Sequence, residues 1–155
     1  MTNRSYQYYF DDFVGTYIGH AEHLAKAAQA LEIPTFGLAS SMLLGQSVEL
    51  SLKAWIVSKE LSRGRGIVIA QAKVRKQNVR HDLFRLWSLA FEDGLVTELV
   101  TTDCFQLLAE THGSPYELYP QPATMYEVLE SAPDHVLGLS AAVASGLNRK
   151  KREVQ

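Results

Sequence analysis

The sequence predicts an all-α protein, a bundle of four to six helices in one domain. Three observations carry that expectation. Apolar residues recur at spacings of three and four along most of the chain, the period of a helix with one face in a core. No segment shows the two-residue alternation of a half-buried strand. Gly and Pro punctuate the apolar runs at Pro34, Gly64, Gly66, Gly94 and Pro133.

In chain order, residues 5–31 read as a long helix. Phe10, Phe13, Tyr17, Ala21, Leu24, Ala28 and Leu31 share one face, and Ser5 is placed to cap it. His20 borders that stripe and His23 lies off it, which suits structural or solvated rings. Pro34 is expected to stop the run, and Thr35 to cap a second helix reaching about Leu61. This second helix is apolar on more than one side, with Leu38, Met42, Gly45, Val48, Leu52 and Trp55 on one track and Leu43, Leu50, Ala54 and Val57 on another. Such a helix belongs at the centre of a bundle. Ser41 and Gly45, one turn apart, would let a neighbour come close. Glu49 and Lys53 form an i, i+4 pair, weak if exposed and specific if buried.

Ser62 to Gly66 reads as a connector, and Ile67 to Ala70 as an apolar run that strand or helix could claim. A third helix is expected near His81, with Asn78 or His81 as cap, Asp82 in its first turn and Gly94 ending it. A fourth is expected from about Thr97 to Thr111, closed by His112 and Gly113. Ser114 to Ala123, with its three prolines and two tyrosines, reads as a loop. Thr124 to Glu127 has the pattern of a capping box, Pro133 is expected to break the helix it opens, and a last helix runs from about Asp134 to Leu147.

A chain of 155 residues with 46% hydrophobic and 21% charged residues suits one soluble domain, with its core at about 5–147 and a basic tail at 148–155. Cys104, the one cysteine, excludes an internal disulfide and suits a reducing compartment. There is no basic region followed by an apolar one at the start, and no apolar stretch of bilayer length, so a cytoplasmic protein without membrane partners is expected. The net charge of −2 hides a segregation. Nine Lys or Arg lie between Lys53 and Arg85 against Glu60 and Asp82, while Leu86 to Asn148 has none and nine acids. Such a distribution gathers a polyanion onto one surface, or else the two halves neutralise each other on folding or across a dimer.

Cofactor chemistry finds little footing. No nucleophile elbow, dinucleotide fingerprint or zinc-cluster spacing is present. The five histidines are scattered, and His20 with His23 lacks the carboxylates that would complete a metal site, so no metal and no cofactor are expected. Arg75 and His81, with five residues between them, are the candidates for chemistry. Metal-free RNA cleavage needs a group that moves the 2′-hydroxyl proton and a cation that holds the phosphate, and a His with an Arg supplies both. The competing reading is that His81 caps a helix and Arg75 is a solvated base.

Glu49-(x)3-Lys53 on a long helix, a basic loop, His81-Asp82-Leu83-(x)2-Leu86 and then Tyr119-Pro120 together resemble a HEPN domain, across roughly Phe10 to Gln121. The resemblance implies an up-and-down bundle of four or five helices that commonly forms a homodimer. Many members of that family are metal-independent ribonucleases of prokaryotic defence or toxin–antitoxin systems, with four to six residues between an Arg and the His that follows it. Arg75 and His81 match the spacing. Lys76 after the Arg and Asp82-Leu83 after the His depart from the pattern of active members and resemble the branch that pairs with nucleotidyltransferases or stands alone.

The reading that results is a HEPN-like protein that binds RNA or a nucleotide-linked partner through Arg63, Arg65, Lys73, Lys76 and Arg80. Endoribonuclease activity through Arg75 and His81 is one alternative. A non-catalytic dimeric partner of a nucleotidyltransferase or an antitoxin is the other. Glu49, Lys53, His81 and Asp82 are expected to converge in one polar cluster, with the second helix beside the start of the third.

Overall fold

The computed structural model describes residues 13–31, 33–99, 102–112 and 123–153. Among them are six helices and no strand: α1 Gly15–Gln29, α2 Ile33–Ser62, α3 Ile67–Arg75, α4 Leu83–Glu92, α5 Asp103–Thr111 and α6 Ala123–Glu153. The protein is all-α. Residues 5–12, including the expected cap at Ser5, and the Tyr119-Pro120 pair lie outside the described residues.

Helix α2 is the element on which the others rest. Its 30 residues span about 45 Å. Leu44, Val48, Leu52 and Ile56 are buried, as are Ala54, Trp55 and Val57 around its circumference. A helix without a polar side has to be covered on every side, and α2 touches each of the other five helices. It begins at Ile33, not at a Thr35 cap. Pro34 opens it instead of ending what precedes, because a missing N–H costs nothing in the first turn of a helix.

Small and hydroxyl side chains set how closely α1 and α6 approach. Ala21, Ala25 and Ala28 form the buried stripe of α1, and the Ser47 hydroxyl of α2 donates to the Ala21 carbonyl at 2.5 Å. On the other flank the hydroxyls of Ser51 and Ser140 join α2 to α6 at 3.0 Å. Each such bond contributes on the order of 1 kcal/mol. Gly146 of α6 makes room for an indole: a Cβ there would lie 2.5 Å from Cζ3 of Trp55. The Trp55 N–H donates to the Asp93 carbonyl at 3.3 Å, and Lys59 Nζ sits 4.1 Å from the ring centroid.

Pro133 does not break α6. The ring removes one backbone bond and costs about 3 kcal/mol in a helix interior. The buried stripe Ala132, Val136, Leu139, Val143 and Leu147 keeps its register across the proline, and its packing on α1 and α2 offsets the loss. The two helices expected here are therefore one.

Two glycines end helices by the same device. Gly64 has φ +78°, with its N–H bonded to the Leu61 carbonyl at 2.9 Å and that of Arg65 to the Glu60 carbonyl at 3.2 Å. Gly94 has φ +87°, with matching bonds from Gly94 to Phe91 and from Leu95 to Ala90. This pairing of carbonyls needs a left-handed residue, which glycine adopts without cost. Ile67–Arg75 resolves the strand-or-helix ambiguity in favour of helix, with Ala70 and Val74 buried.

Two expected caps shift. Asp82, and not Asn78 or His81, caps α4 by accepting from the Arg85 N–H at 3.0 Å. Helix α5 starts at Asp103 with Thr102 as its cap, instead of at Thr97. Before it Leu95 is buried in non-helical chain and Leu99 in a 3-10 turn, whose carbonyl accepts from the Thr102 N–H at 3.0 Å, so the α-helix does not reach back to Thr97. No helix among the described residues is long and apolar enough to cross a membrane.

Candidate functional site

The chain buries one carboxylate under three nitrogen-bearing side chains. Glu49 lies midway along α2 with its side chain 2% exposed. Its Oε1 accepts from Lys53 Nζ one turn on. Its Oε2 faces two imidazoles, His81 Nδ1 at 3.1 Å and His112 Nε2 at 2.5 Å. An ionised carboxylate only accepts, so the ring nitrogens that face it carry the protons. The two rings meet edge to face, with centroids 6.3 Å apart.

Each partner arrives by a local rule. Lys53 is four positions from Glu49 on the same helix face. His81 stands at the end of a coil of successive turns, with Val79 and Arg80 N–H bonded to the Lys76 carbonyl and Asp82 N–H to that of Val79. Val79 anchors that coil in the core, and the Asp82 cap fixes the start of α4 directly after His81. His112 ends α5, its N–H bonded to the Leu108 carbonyl at 2.8 Å. Its ring lies over Gly45 of α2, where a Cβ would come within 2.6 Å of Nδ1. Glycine in a helix interior costs about 1 kcal/mol relative to alanine, and here it leaves the space that the imidazole fills.

Exposure divides the two rings. The His112 side chain is 10% exposed and that of His81 is 55% exposed. Burial alone would push the Glu49 carboxyl up. Hydrogen bonds from His112, Lys53 and His81 outweigh it and hold the group down at about 2, so it is an anion at neutral pH. The arrangement is a fixed anion that orients an accessible imidazole, with the second nitrogen of His81 left for solvent or a ligand. Proton transfer and cation binding are the two chemistries that such a donor set performs.

A second buried carboxylate organises the connector between α2 and α3. Glu60, at the end of α2, takes Arg63 at 2.6 Å, Arg65 at 2.5 Å and Lys73 at 2.9 Å, and Asp93 takes Arg63 at 2.7 Å and Lys73 at 3.4 Å. Burial raises the Glu60 carboxyl, but Lys73, Arg63 and Arg65 hold it below its ordinary value. Three of the five cations expected to meet RNA thus bind the protein's own acids. Lys76 and Arg80 are exposed and form no ion pair among the described residues, and the same is true of Arg75 at the end of α3.

Of the expected polar cluster, Glu49, Lys53 and His81 come together. The Asp82 carboxylate goes elsewhere, to the Arg85 backbone N–H and to Arg85 Nε at 3.5 Å. His112 completes the cluster in its place, 63 positions from Glu49. Nothing in the sequence marks His112, because Gly45 reads as a close-approach residue without saying which ring approaches. Cys104 is inert: it is buried in α5, and burial pushes its thiol up to about 11. A separate cavity of about 470 Å³ is lined by Glu98, Asp134 and His135 among others; without a Lys or Arg in its wall it does not suit a polyanion.

Among known proteins, no family model, no curated sequence and no solved structure matches this chain.

Proposed function

We propose that this chain is a HEPN-like RNA-binding protein of a prokaryotic defence or toxin–antitoxin type system, with the turn between α3 and α4 as its RNA-contact surface. One observation carries the reading. The cations of the α2–α3 connector are engaged by Glu60 and Asp93, whereas Arg75, Lys76 and Arg80 stay exposed on the turn that also bears His81. Backbone phosphates would meet these three side chains, with His81 beside them. As the resemblance implies, the chain acts as a homodimer in this proposal.

The test is salt-dependent binding of single-stranded RNA. Replacing Arg75, Lys76 and Arg80 together with Gln is expected to flatten the dependence of log affinity on log salt by about two, since each lost phosphate contact on a single strand removes about 0.7. The triple change Arg63→Gln, Arg65→Gln, Lys73→Gln is expected to affect folding stability more than RNA affinity. Equal RNA binding by wild type and the Arg75/Lys76/Arg80 variant would overturn the proposal.

A second reading is metal-independent endoribonuclease activity, with His81 moving the proton and Arg75 holding the phosphate. The contact between His81 Nδ1 and the buried Glu49 favours it, because a carboxylate that fixes one ring nitrogen presents the other in a set direction. Incubation of RNA with the protein in chelator should then yield fragments with wild type and none with His81→Ala. Intact RNA with both proteins would leave binding alone.

A further inference from the structure

We propose that Glu49, His81 and His112 form a binding site for a divalent transition cation of the Zn²⁺ class, with one coordination position open to solvent. The three residues each offer a ligand atom within 4.8 Å of the other two, and the atoms that meet are Glu49 Oε2 with His81 Nδ1 and with His112 Nε2. Two imidazoles and one carboxylate are a donor set for such cations, and three protein ligands with a free fourth position mark an exchangeable site and not a closed structural one. The proposal goes beyond the RNA reading and does not depend on it.

The geometry is close to what a tetrahedral ion needs. Ligands about 2.0–2.2 Å from the metal sit about 3.4 Å from each other. His81 Nδ1 is 3.1 Å and His112 Nε2 is 2.5 Å from Glu49 Oε2, both hydrogen-bond distances that a bound ion would widen. His81 has the freedom to move, because its side chain is 55% exposed. Each ring then keeps its proton on the nitrogen that faces away from the ion.

The surroundings support the ligands. Lys53 pairs with the other carboxylate oxygen, Oε1, so it orients Glu49 without competing for Oε2. Gly45 leaves the space in which the His112 ring is seated. Glu49, Lys53 and two neutral imidazoles sum to no net charge, so a bound dication leaves the site positive and favours an anionic fourth ligand.

The experiment is a Co²⁺ titration of the full chain, stripped with chelator and free of RNA, followed by visible absorption and then by Zn²⁺ displacement. One Co²⁺ per chain with tetrahedral ligand-field bands, lost on adding Zn²⁺, is expected. His81→Ala and His112→Ala should each weaken binding roughly 100-fold or more, and Gly45→Ala about 10-fold by displacing the His112 ring. His135→Ala, remote from the site, should bind as wild type does. His81 is exposed, so its variant keeps the test valid if His112→Ala does not fold. Wild type that is folded by circular dichroism yet shows no band at millimolar Co²⁺ overturns the proposal, and so does binding that His81→Ala leaves unchanged. Because no RNA is present, the RNA proposal and this one fail separately.

Discussion

Changing Glu49 to Gln keeps the shape of the side chain and removes its charge. In the folded chain the carboxyl titrates at about 2, against 4.5 for the free group, because the hydrogen bonds from His112, Lys53 and His81 outweigh burial. At about 1.4 kcal/mol per pH unit, that gap corresponds to about 3 kcal/mol of stability at neutral pH. Between pH 4.5 and 2 the unfolded chain takes up a proton that the folded chain refuses, so acid favours unfolding there. The contribution is complete above 4.5 and disappears as pH falls through 2. Urea unfolding of wild type and Glu49→Gln should therefore differ by about 3 kcal/mol at pH 5 and by about 2 kcal/mol near pH 3.5. A difference that stays constant over this interval, or a variant as stable as wild type at pH 5, would show that the carboxylate is not held by its three partners.

Gly146→Ala should lower stability by about 1–3 kcal/mol in a thermal melt, since the new methyl meets the Trp55 ring at 2.5 Å in a packed interface. Phe105→Ala should cost about 3–5 kcal/mol, because the ring is buried in α5 and packs edge to face against Phe84 at 5.6 Å; denaturant midpoints measure it. Cys104 should react with a thiol reagent only as fast as the chain unfolds, as its thiol is buried and titrates at about 11. Glu60→Gln should loosen the connector, so that proteolysis after Arg63 or Arg65 accelerates while the midpoint of global unfolding shifts less than for Glu49→Gln.

The parts of the fold that were legible in the sequence are those that local rules decide. The apolar circumference of α2 announces a central helix, and the Gly64 and Gly94 stops follow from carbonyls that only a left-handed residue satisfies. The pairing of Glu49 with Lys53 follows from helix spacing, and its burial from the apolar residues around it. What was not legible depends on tertiary packing. Pro133 stays within α6 because the stripe beyond it is buried, which composition does not reveal. Asp82 follows His81 directly and is expected in the same cluster, whereas its carboxylate meets a backbone donor of α4. His112 reaches Glu49 only because the end of α5 is laid over Gly45. The connector cations illustrate the same limit: their number was evident, but their attachment to Glu60 and Asp93 arises from the fold of α3 and α4 around the end of α2.

The cation site and the endoribonuclease reading both rest on one buried carboxylate that grips two imidazoles. The direct measurement is a long-range proton–nitrogen NMR correlation of the histidine rings in the metal-free protein. His81 should carry its proton on Nδ1 and His112 on Nε2, each slow to exchange, with both signatures lost in Glu49→Gln. Rings with the opposite tautomers, or signals that the substitution leaves in place, would contradict it.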